Sequence, residues 1–200
     1  MKIENISIVG AGAWGTALAQ TLSQSGKSVT IWAREADVAA DINERHVNRT
    51  FLPGVPLDPG VRATVNLRDV ARADVILLVV PAQHLRSVAN ELARDVTPDQ
   101  PVVICAKGIE QASGKLMGEV AGEVLPQALL AVLSGPSFAA DVVRGHPAAL
   151  TLACRSETAG KAMAAGLSSR QMRLYWSSDV VGAELGGAVK NVLAIAAGVV

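Results

Sequence analysis

Short apolar runs alternate with helix-length segments along most of the chain, and this rhythm limits the fold more than any other feature. VILLVV (75–80) and LLAVL (129–133) are apolar without alternation, as expected of strands that are covered on both faces. Helices are predicted between strands, at Trp14–Ser25, Ala36–Asn48 and Gln83–Asp95. The predicted strands are Ile6–Val9, Ser28–Trp32, Arg62–Thr64, Val75–Val79, Val102–Cys105, Leu129–Leu133, Ala149–Ala153 and Arg173–Trp176. The rhythm predicts an α/β fold with a doubly wound, mostly parallel sheet.

The rhythm changes near residue 177, where a cap-like Ser-Ser-Asp begins one long helical pattern, SSDVVGAELGGAVKNVLAIAAGVV. We therefore predict one α/β domain over 1–178 and the start of an all-α C-terminal domain, its first helix, over 179–200. Since the final apolar run has no cap and no polar tail, we expect the chain to be a fragment. FLPGVPLDPG (51–60) carries three prolines and two glycines, and it is predicted to be a loop.

Composition narrows the classes of partner. The chain has 200 residues, 18 basic and 18 acidic side chains, and a formal net charge of zero. This balance predicts no nucleic-acid partner, and the apolar runs are too short to predict a membrane span. The start resembles no signal peptide, so we expect a cytoplasmic protein. Cys105 and Cys154 lie in apolar, strand-like stretches and are predicted to be reduced, buried thiols, without metal-binding spacing. No metal site is expected.

The stretch GAGAWG (10–15) follows the first predicted strand and opens the first predicted helix. In this context each glycine has a physical reason. Gly10 permits a tight turn, Gly12 lets the backbone approach a pyrophosphate, and Gly15 lets helix and strand pack closely. Free N–H groups and the positive end of the helix dipole would face the phosphates. The pattern predicts a Rossmann-like dinucleotide site; the alternative is a glycine-rich turn in another kind of α/β domain.

The second strand ends in TIWAREAD, where a dinucleotide site usually has an acidic residue for the ribose 2′-hydroxyl. Here the tip is Ala33-Arg34, and Glu35 follows one residue later. A guanidinium at this position suits a 2′-phosphate, whereas a solvated arginine beside Glu35 is the other interpretation. The predicted cofactor is therefore NAD or NADP.

Three later strand ends point at the same edge of the sheet. VPAQ places Pro81 in a strand-ending turn, followed by His84, which is a weaker candidate for an acid or base. Lys107 in AKG would bring an ammonium to the crevice, where it can meet a phosphate. Ser137 in GPS is placed to cap the next helix, and the Gly135-Pro136 turn would bring backbone N–H groups to the same rim.

GAELGGAVKN places Lys190 and Asn191 inside an apolar helix that is rich in small residues. A lysine there must either extend toward water or sit in a partly desolvated site. Desolvation and a second nearby cation lower the pKa of an ammonium, which suits it to proton transfer. Gly186 and Gly187 weaken the helix, so we expect them to admit a close neighbour.

Taken together, GAGAWGTALA, FLPG, VPAQ, AKGIE, LSGPSFAADV and GAELGGAVKNVLAIAAG resemble, in order, the bacterial NAD(P)-dependent glycerol-3-phosphate dehydrogenases. The resemblance implies a Rossmann-like domain, a helical C-terminal domain and a substrate bound between them. It implies reversible conversion of dihydroxyacetone phosphate to sn-glycerol 3-phosphate, which feeds phospholipid synthesis. The expected partner is thus a small phosphate substrate, and a homodimer is a further expectation.

The resemblance also implies residue roles. Lys190 would be the proton donor and acceptor, and Lys107 would contact both cofactor and substrate. Asp141 stands where many members have glutamate, and the remaining substrate residues of the family lie beyond Val200. The predicted cofactor-binding set is Gly10, Gly12, Ala13, Trp14, Gly15, Arg34, Pro81, Lys107 and Ala139. The predicted substrate-side set is Lys107, Gly135, Ser137, Lys190 and Asn191.

Two other functions stay open. A 3-hydroxyacid or 6-phosphogluconate type dehydrogenase also has a helical second domain and a catalytic lysine beside an asparagine, and substrate profiling separates it. A non-catalytic dinucleotide-sensing module is the other alternative, although a sensor has no use for a lysine in the crevice.

Overall fold

An eight-stranded sheet forms the centre of the protein in the computed structural model, which describes residues 1–190 and 192–198 in full and Asn191 by its backbone. The described residues form ten strands, of which β3 and β4 make a separate two-stranded sheet. The strands are β1 Asn5–Val9, β2 Ser28–Trp32, β3 Val47–Asn48, β4 Leu52–Pro56, β5 Val61–Thr64, β6 Val75–Leu78, β7 Pro101–Ile104, β8 Leu129–Ser134, β9 Ala148–Ala153 and β10 Met172–Ser177. The order in the large sheet is β10-β9-β8-β7-β6-β1-β2-β5. All neighbours are parallel except β8 and β9, which are antiparallel. The eight predicted strands are all present, with ends that differ by at most one residue.

Helices cover both faces of the sheet, as the doubly wound prediction requires. They are α1 Ala13–Gln24, α2 Ala36–Ala40, α3 Leu85–Leu92, α4 Met117–Val124, α5 Ala139–Val143, α6 Glu157–Leu167 and α7 Val180–Ala197. Alternate residues of one strand enter different cores: Val75 and Leu77 of β6 pack in one apolar cluster, and Ile76 and Leu78 in the other. All four are at most 1% exposed, so the unbroken apolar run reflects burial on both faces.

The helix predicted over Gln83–Asp95 is shorter at both ends, as α3 Leu85–Leu92. Two other predictions differ more from the structure. The helix predicted over Ala36–Asn48 ends as α2 at Ala40, continues as one π-helical turn to Arg45, and stops at His46, whose φ of 53° is left-handed. The predicted loop 51–60 contains β4, which pairs with β3 in a small antiparallel sheet. The cause is tertiary: Asn48 is 1% exposed, and its Nδ2 donates to the carbonyl of Ala11 at 2.8 Å, which fixes this hairpin to the glycine-rich turn.

The two cysteines match the prediction of reduced, buried thiols: Cys105 and Cys154 are buried and unpaired. Burial raises the pKa of Cys105 to about 12, so this thiol stays protonated. In the described part of the chain, none of the helices is long and apolar enough to cross a membrane.

Candidate functional site

The glycine-rich turn lies where the strand order reverses, between β1 and β6. Gly10 has a φ of 120°, its N–H donates to the carbonyl of Trp32 at 3.1 Å, and a Cβ there would lie 2.9 Å from the carbonyl oxygen of Val79. The turn is therefore held between the two neighbours of β1. In open α/β sheets, this switch point is where ligands bind.

The other two glycines of the turn serve different purposes. A Cβ on Gly15 would lie 1.9 Å from the carbonyl oxygen of Gly10, so only glycine lets α1 approach the turn. A Cβ on Gly12 would meet nothing within 4 Å, and the φ of Gly12 is −67°, which any residue can adopt. The fold thus requires Gly15, whereas Gly12 leaves an open backbone surface toward the cleft.

The N-terminus of α1 is suited to an anion. Gly12 is its N-cap, no side chain among the described residues caps it, and its first turn carries no acidic residue. The first N–H groups and the positive end of the helix dipole are therefore available to a phosphate group beside Gly12.

A cleft of about 620 Å³ opens over this helix terminus and along the carboxyl ends of the neighbouring strands. Its lining runs from Arg34 at the end of β2, past Gly12 in the glycine turn, to Lys107 in the loop after β7. All nine residues predicted for the cofactor line it: Gly10, Gly12, Ala13, Trp14, Gly15, Arg34, Pro81, Lys107 and Ala139.

Arg34 and Glu35 form an ion pair at the β2 end of this cleft. Nη2 of Arg34 lies 2.8 Å from Oε1 of Glu35, and the arginine side chain is 73% exposed. An exposed pair of this kind contributes about 0–1 kcal/mol, so a ligand phosphate can replace the carboxylate as the partner of Arg34. This geometry fits both interpretations of Arg34 from the sequence, a contact to a 2′-phosphate and a solvated arginine beside Glu35.

A smaller cavity of about 210 Å³ adjoins the cleft, and Lys107 lines both. Gly135, Lys190, Ser134 and Thr151 also line this small cavity. Nζ of Lys107 donates to the carbonyl of Gly135 at 2.9 Å. Although Lys107 as a whole is exposed, desolvation of its ammonium and then the charge of Lys190 lower its pKa. Two cations thus face one small cavity beside the dinucleotide cleft.

Helix α7 brings Lys190 to this cavity by close packing at Gly187. A Cβ on Gly187 would lie 2.9 Å from Oγ of Ser134 and 3.5 Å from Cγ of Lys107, whereas one on Gly186 would meet nothing within 4 Å. The expected close neighbour therefore exists at Gly187 and not at Gly186. Lys190 is exposed, because α7 packs along one side only, and its Nζ lies 5.3 Å from the ring centroid of Phe138. The side chain of the predicted site residue Asn191 lies outside the described residues.

The Gly-Pro-Ser turn after β8 differs from its prediction. Ser137 lines the larger cleft, but Phe138 is the N-cap of α5, and the N–H of Ser137 donates to Gly135 at 3.1 Å. The predicted capping by Ser137 is therefore wrong, since the chain turns one residue later. Gly135 presents its carbonyl, not its N–H, to Lys107. A Cβ on Gly135 would lie 2.5 Å from Cδ2 of Leu150, which explains the glycine.

Several residues at these cavities escaped the sequence reasoning. Phe51 lines the large cleft because the hairpin that carries it folds over the glycine turn. Thr151 reaches the small cavity from β9, and no local motif marks it. His84, the weaker candidate for an acid or base, lines the large cleft. It is exposed and lies at the end of a single 3-10 turn.

The glycine turn at the switch point, the uncapped helix terminus and the long cleft define a dinucleotide-binding α/β domain. A family model described as the N-terminus of NAD-dependent glycerol-3-phosphate dehydrogenase matches residues 5–160. The chain belongs to this family.

Relatives with known names agree with the family. A glycerol-3-phosphate dehydrogenase (NAD(P)+) of Parvibaculum lavamentivorans is 53% identical over all of this chain, which covers 60% of that protein. One from Paramagnetospirillum magneticum is 53% identical over 99% of this chain, which covers 72% of that protein. The crystal structure of glycerol-3-phosphate dehydrogenase from Coxiella burnetii matches 98% of this chain and 60% of its own with a TM-score of 0.89 at 34% identity. The chain thus spans about 60% of the first relative's length.

Proposed function

We propose that the protein catalyses the reversible, NAD(P)H-dependent reduction of dihydroxyacetone phosphate to sn-glycerol 3-phosphate, for glycerophospholipid synthesis in the cytoplasm. In this proposal residues 1–178 form the dinucleotide-binding domain, and residues 179–200 begin a helical substrate domain. The proposal rests mainly on the position of Lys107. This lysine lines both the dinucleotide cleft and the small cavity, which Lys190 also lines. The names of the relatives support the substrate.

The residues of the large cleft fit a nicotinamide dinucleotide. The open backbone at Gly12 and the N–H groups at the start of α1 would hold the pyrophosphate. Arg34 and Glu35 would hold the adenosine ribose or its 2′-phosphate, and Pro81, Lys107 and Ala139 would border the other end. The bound cofactor supplies a hydride to the substrate carbonyl carbon.

Two lysines would divide the work on the substrate. Lys107, held by the carbonyl of Gly135, places positive charge next to the cofactor and the dianionic phosphate substrate. Lys190, as an ammonium, gives a proton to the carbonyl oxygen while the carbon gains the hydride, so that the ketone becomes an alcohol. The neutral amine then takes a proton from water. In oxidation, the amine removes the hydroxyl proton.

The small cavity supplies only part of a substrate site. At about 210 Å³, it borders the exposed face of α7, and Lys190 is exposed. We propose that residues outside this chain complete the contacts to the phosphate, in keeping with the share of the relatives' length that the chain covers. A homodimer is part of the same proposal.

An assay of the full-length protein tests the function. NADH or NADPH oxidation is followed at 340 nm with dihydroxyacetone phosphate, and the reverse reaction is compared with sn-glycerol 3-phosphate, 3-hydroxy acids and 6-phosphogluconate. We expect turnover with the triose phosphate pair alone. Preferred oxidation of a hydroxy acid or of 6-phosphogluconate would instead favour the other dehydrogenases, and cofactor binding without any turnover would favour a sensor.

A further inference from the structure

Gln83, the glutamine of the VPAQ stretch, connects the turn after β6 to the loop after β7. Its Nε2 donates to the carbonyl of Ile109 at 2.9 Å, and its Oε1 accepts from the N–H of Gln111 at 3.0 Å. Both ends of one amide thus bind the backbone two and four residues after Lys107. A side chain bound in this way fixes the path of the loop more strongly than a single hydrogen bond.

A second contact joins the same two segments one helical turn later. Nε and Nη2 of Arg86, in the first turn of α3, donate to Oε1 and Oε2 of Glu110, each at 2.9 Å. Glu110 is 7% exposed, and its hydrogen bonds from Arg86 and then Ser113 lower the pKa of its carboxyl to about 2. A bidentate pair has a defined geometry as well as charge, so Glu110 has one favoured position.

The loop is closed around these contacts. The N–H of Glu110 donates to the carbonyl of Lys115 at 2.9 Å, and Gly108 has a φ of 140°, with its missing Cβ only 3.1 Å from Cβ of Ala82. The backbone that carries Lys107 is therefore pressed against the turn that follows Pro81. Pro81 and Lys107 both line the large cleft, so this contact holds two parts of its wall together.

We propose that Gln83, Arg86 and Glu110 form a loop clamp that positions Lys107 against the cofactor wall. None of the three lines either cavity, so they are positioning residues that act through Lys107. The clamp keeps Lys107 in one position between cofactor and substrate when both are bound. The inference rests on the proposed function for its kinetic consequence, but the loop contacts can be tested without turnover.

The test compares Gln83→Leu with Ser87→Ala in the full-length protein. Leucine removes both amide contacts at similar size. The control, in the first turn of α3, removes a side-chain hydrogen bond to the carbonyl of His84 and leaves both loop contacts in place. Hydrogen exchange over 107–111 is measured with and without NADPH, together with kcat and KM for dihydroxyacetone phosphate. Arg86→Met is measured in the same way. Its control is Lys161→Ala, which removes an exposed ion pair with Glu157 on α6, away from this loop.

We expect Gln83→Leu to speed exchange over 107–111 at least about tenfold without changing exchange in α1. We expect kcat/KM for the triose phosphate to fall about 10- to 100-fold, because a displacement near 1 Å can have an effect of that size. The dissociation constant of NADPH should change less than threefold, because most of its contacts lie elsewhere. A general loss of stability would instead move exchange in every segment.

Exchange over 107–111 that matches the Ser87→Ala control overturns the clamp, and so does a kcat/KM within twofold of that control. If the unaltered protein does not reduce dihydroxyacetone phosphate, the proposed function is wrong. The clamp is then judged by exchange alone, and unchanged exchange in both Gln83→Leu and Arg86→Met overturns it.

Discussion

Gly12 and Gly15 allow a matched test of which glycine serves the fold and which serves the ligand. A Cβ on Gly15 would lie 1.9 Å from the carbonyl oxygen of Gly10, about 1.5 Å inside ordinary contact. The obstacle is backbone and cannot rotate away, so Gly15→Ala should lie at the upper end of overpacking, roughly 3 kcal/mol. For a domain of this size, that corresponds to a Tm lower by roughly 6–12 °C.

Gly12→Ala should have the opposite profile. Its Cβ would meet nothing within 4 Å, and its φ suits alanine, so the free energy of unfolding should fall by no more than about 1 kcal/mol, the usual cost of alanine at an N-cap. The methyl group would, however, occupy the surface where we place the pyrophosphate. Losing one charge-assisted hydrogen bond at that surface weakens binding by roughly 1.5–3 kcal/mol, or about 10- to 150-fold in the Kd.

The assay is thermal unfolding of both variants without ligand, together with NADPH titration followed by nucleotide fluorescence. An unchanged NADPH Kd in a folded Gly12→Ala protein would refute the placement of the pyrophosphate. A Tm for Gly15→Ala within 2 °C of the unaltered protein would refute the packing argument.

Further predictions concern charge. Arg34→Ala should weaken NADPH by roughly 1.5–3 kcal/mol more than NADH, because only NADPH has a 2′-phosphate to lose its partner; equal Kd changes for the two cofactors would contradict this. Burial raises the pKa of Glu184 from 4.5, against the hydrogen bond from Gly118 that lowers it. Its folded pKa thus exceeds the unfolded one, so the contribution of this carboxyl to stability is greatest below pH 4.5 and is lost as the pH rises through the raised pKa. Compared with Glu184→Gln, the unaltered protein should lose unfolding free energy over that interval, as urea unfolding at several pH values can show; parallel curves would contradict it.

Most of the central sheet could be predicted from the sequence, because burial on both faces leaves a strong local signal. VILLVV forms β6 and is apolar throughout, since neighbouring side chains enter different cores. The glycine turn was equally predictable, as its spacing follows from the tight turn at Gly10 and the close packing at Gly15.

The hairpin over the cleft could not be predicted, because distant contacts decide it. Its prolines and glycines are typical of a loop, yet Asn48 holds it to Ala11 and Thr16. The ends of local elements are set in the same way: the left-handed His46 ends a segment whose composition favours a longer helix. Phe51 therefore lines the cleft without a sequence signal of its own.

At the site, sequence reasoning identified residue types better than their environments. Lys107 and Lys190 do line one cavity, but Lys190 is exposed and the helix capping expected of Ser137 is absent from the described residues. The packing of α7 on one side and the turn at Phe138 decide these environments, and neither is encoded within a short motif.

The most direct test of the account is the turnover of Lys190→Ala in the full-length protein, with NADPH and dihydroxyacetone phosphate. Loss of a positioned acid–base group should lower kcat by roughly 10²–10⁴, with an NADPH Kd that barely changes because Lys190 lies outside the large cleft. Lys190→Arg should be equally slow, since a guanidinium does not release its proton near neutral pH. A Lys190→Ala enzyme that keeps more than about a third of the unaltered kcat would contradict the account, because the proton would then come from another group.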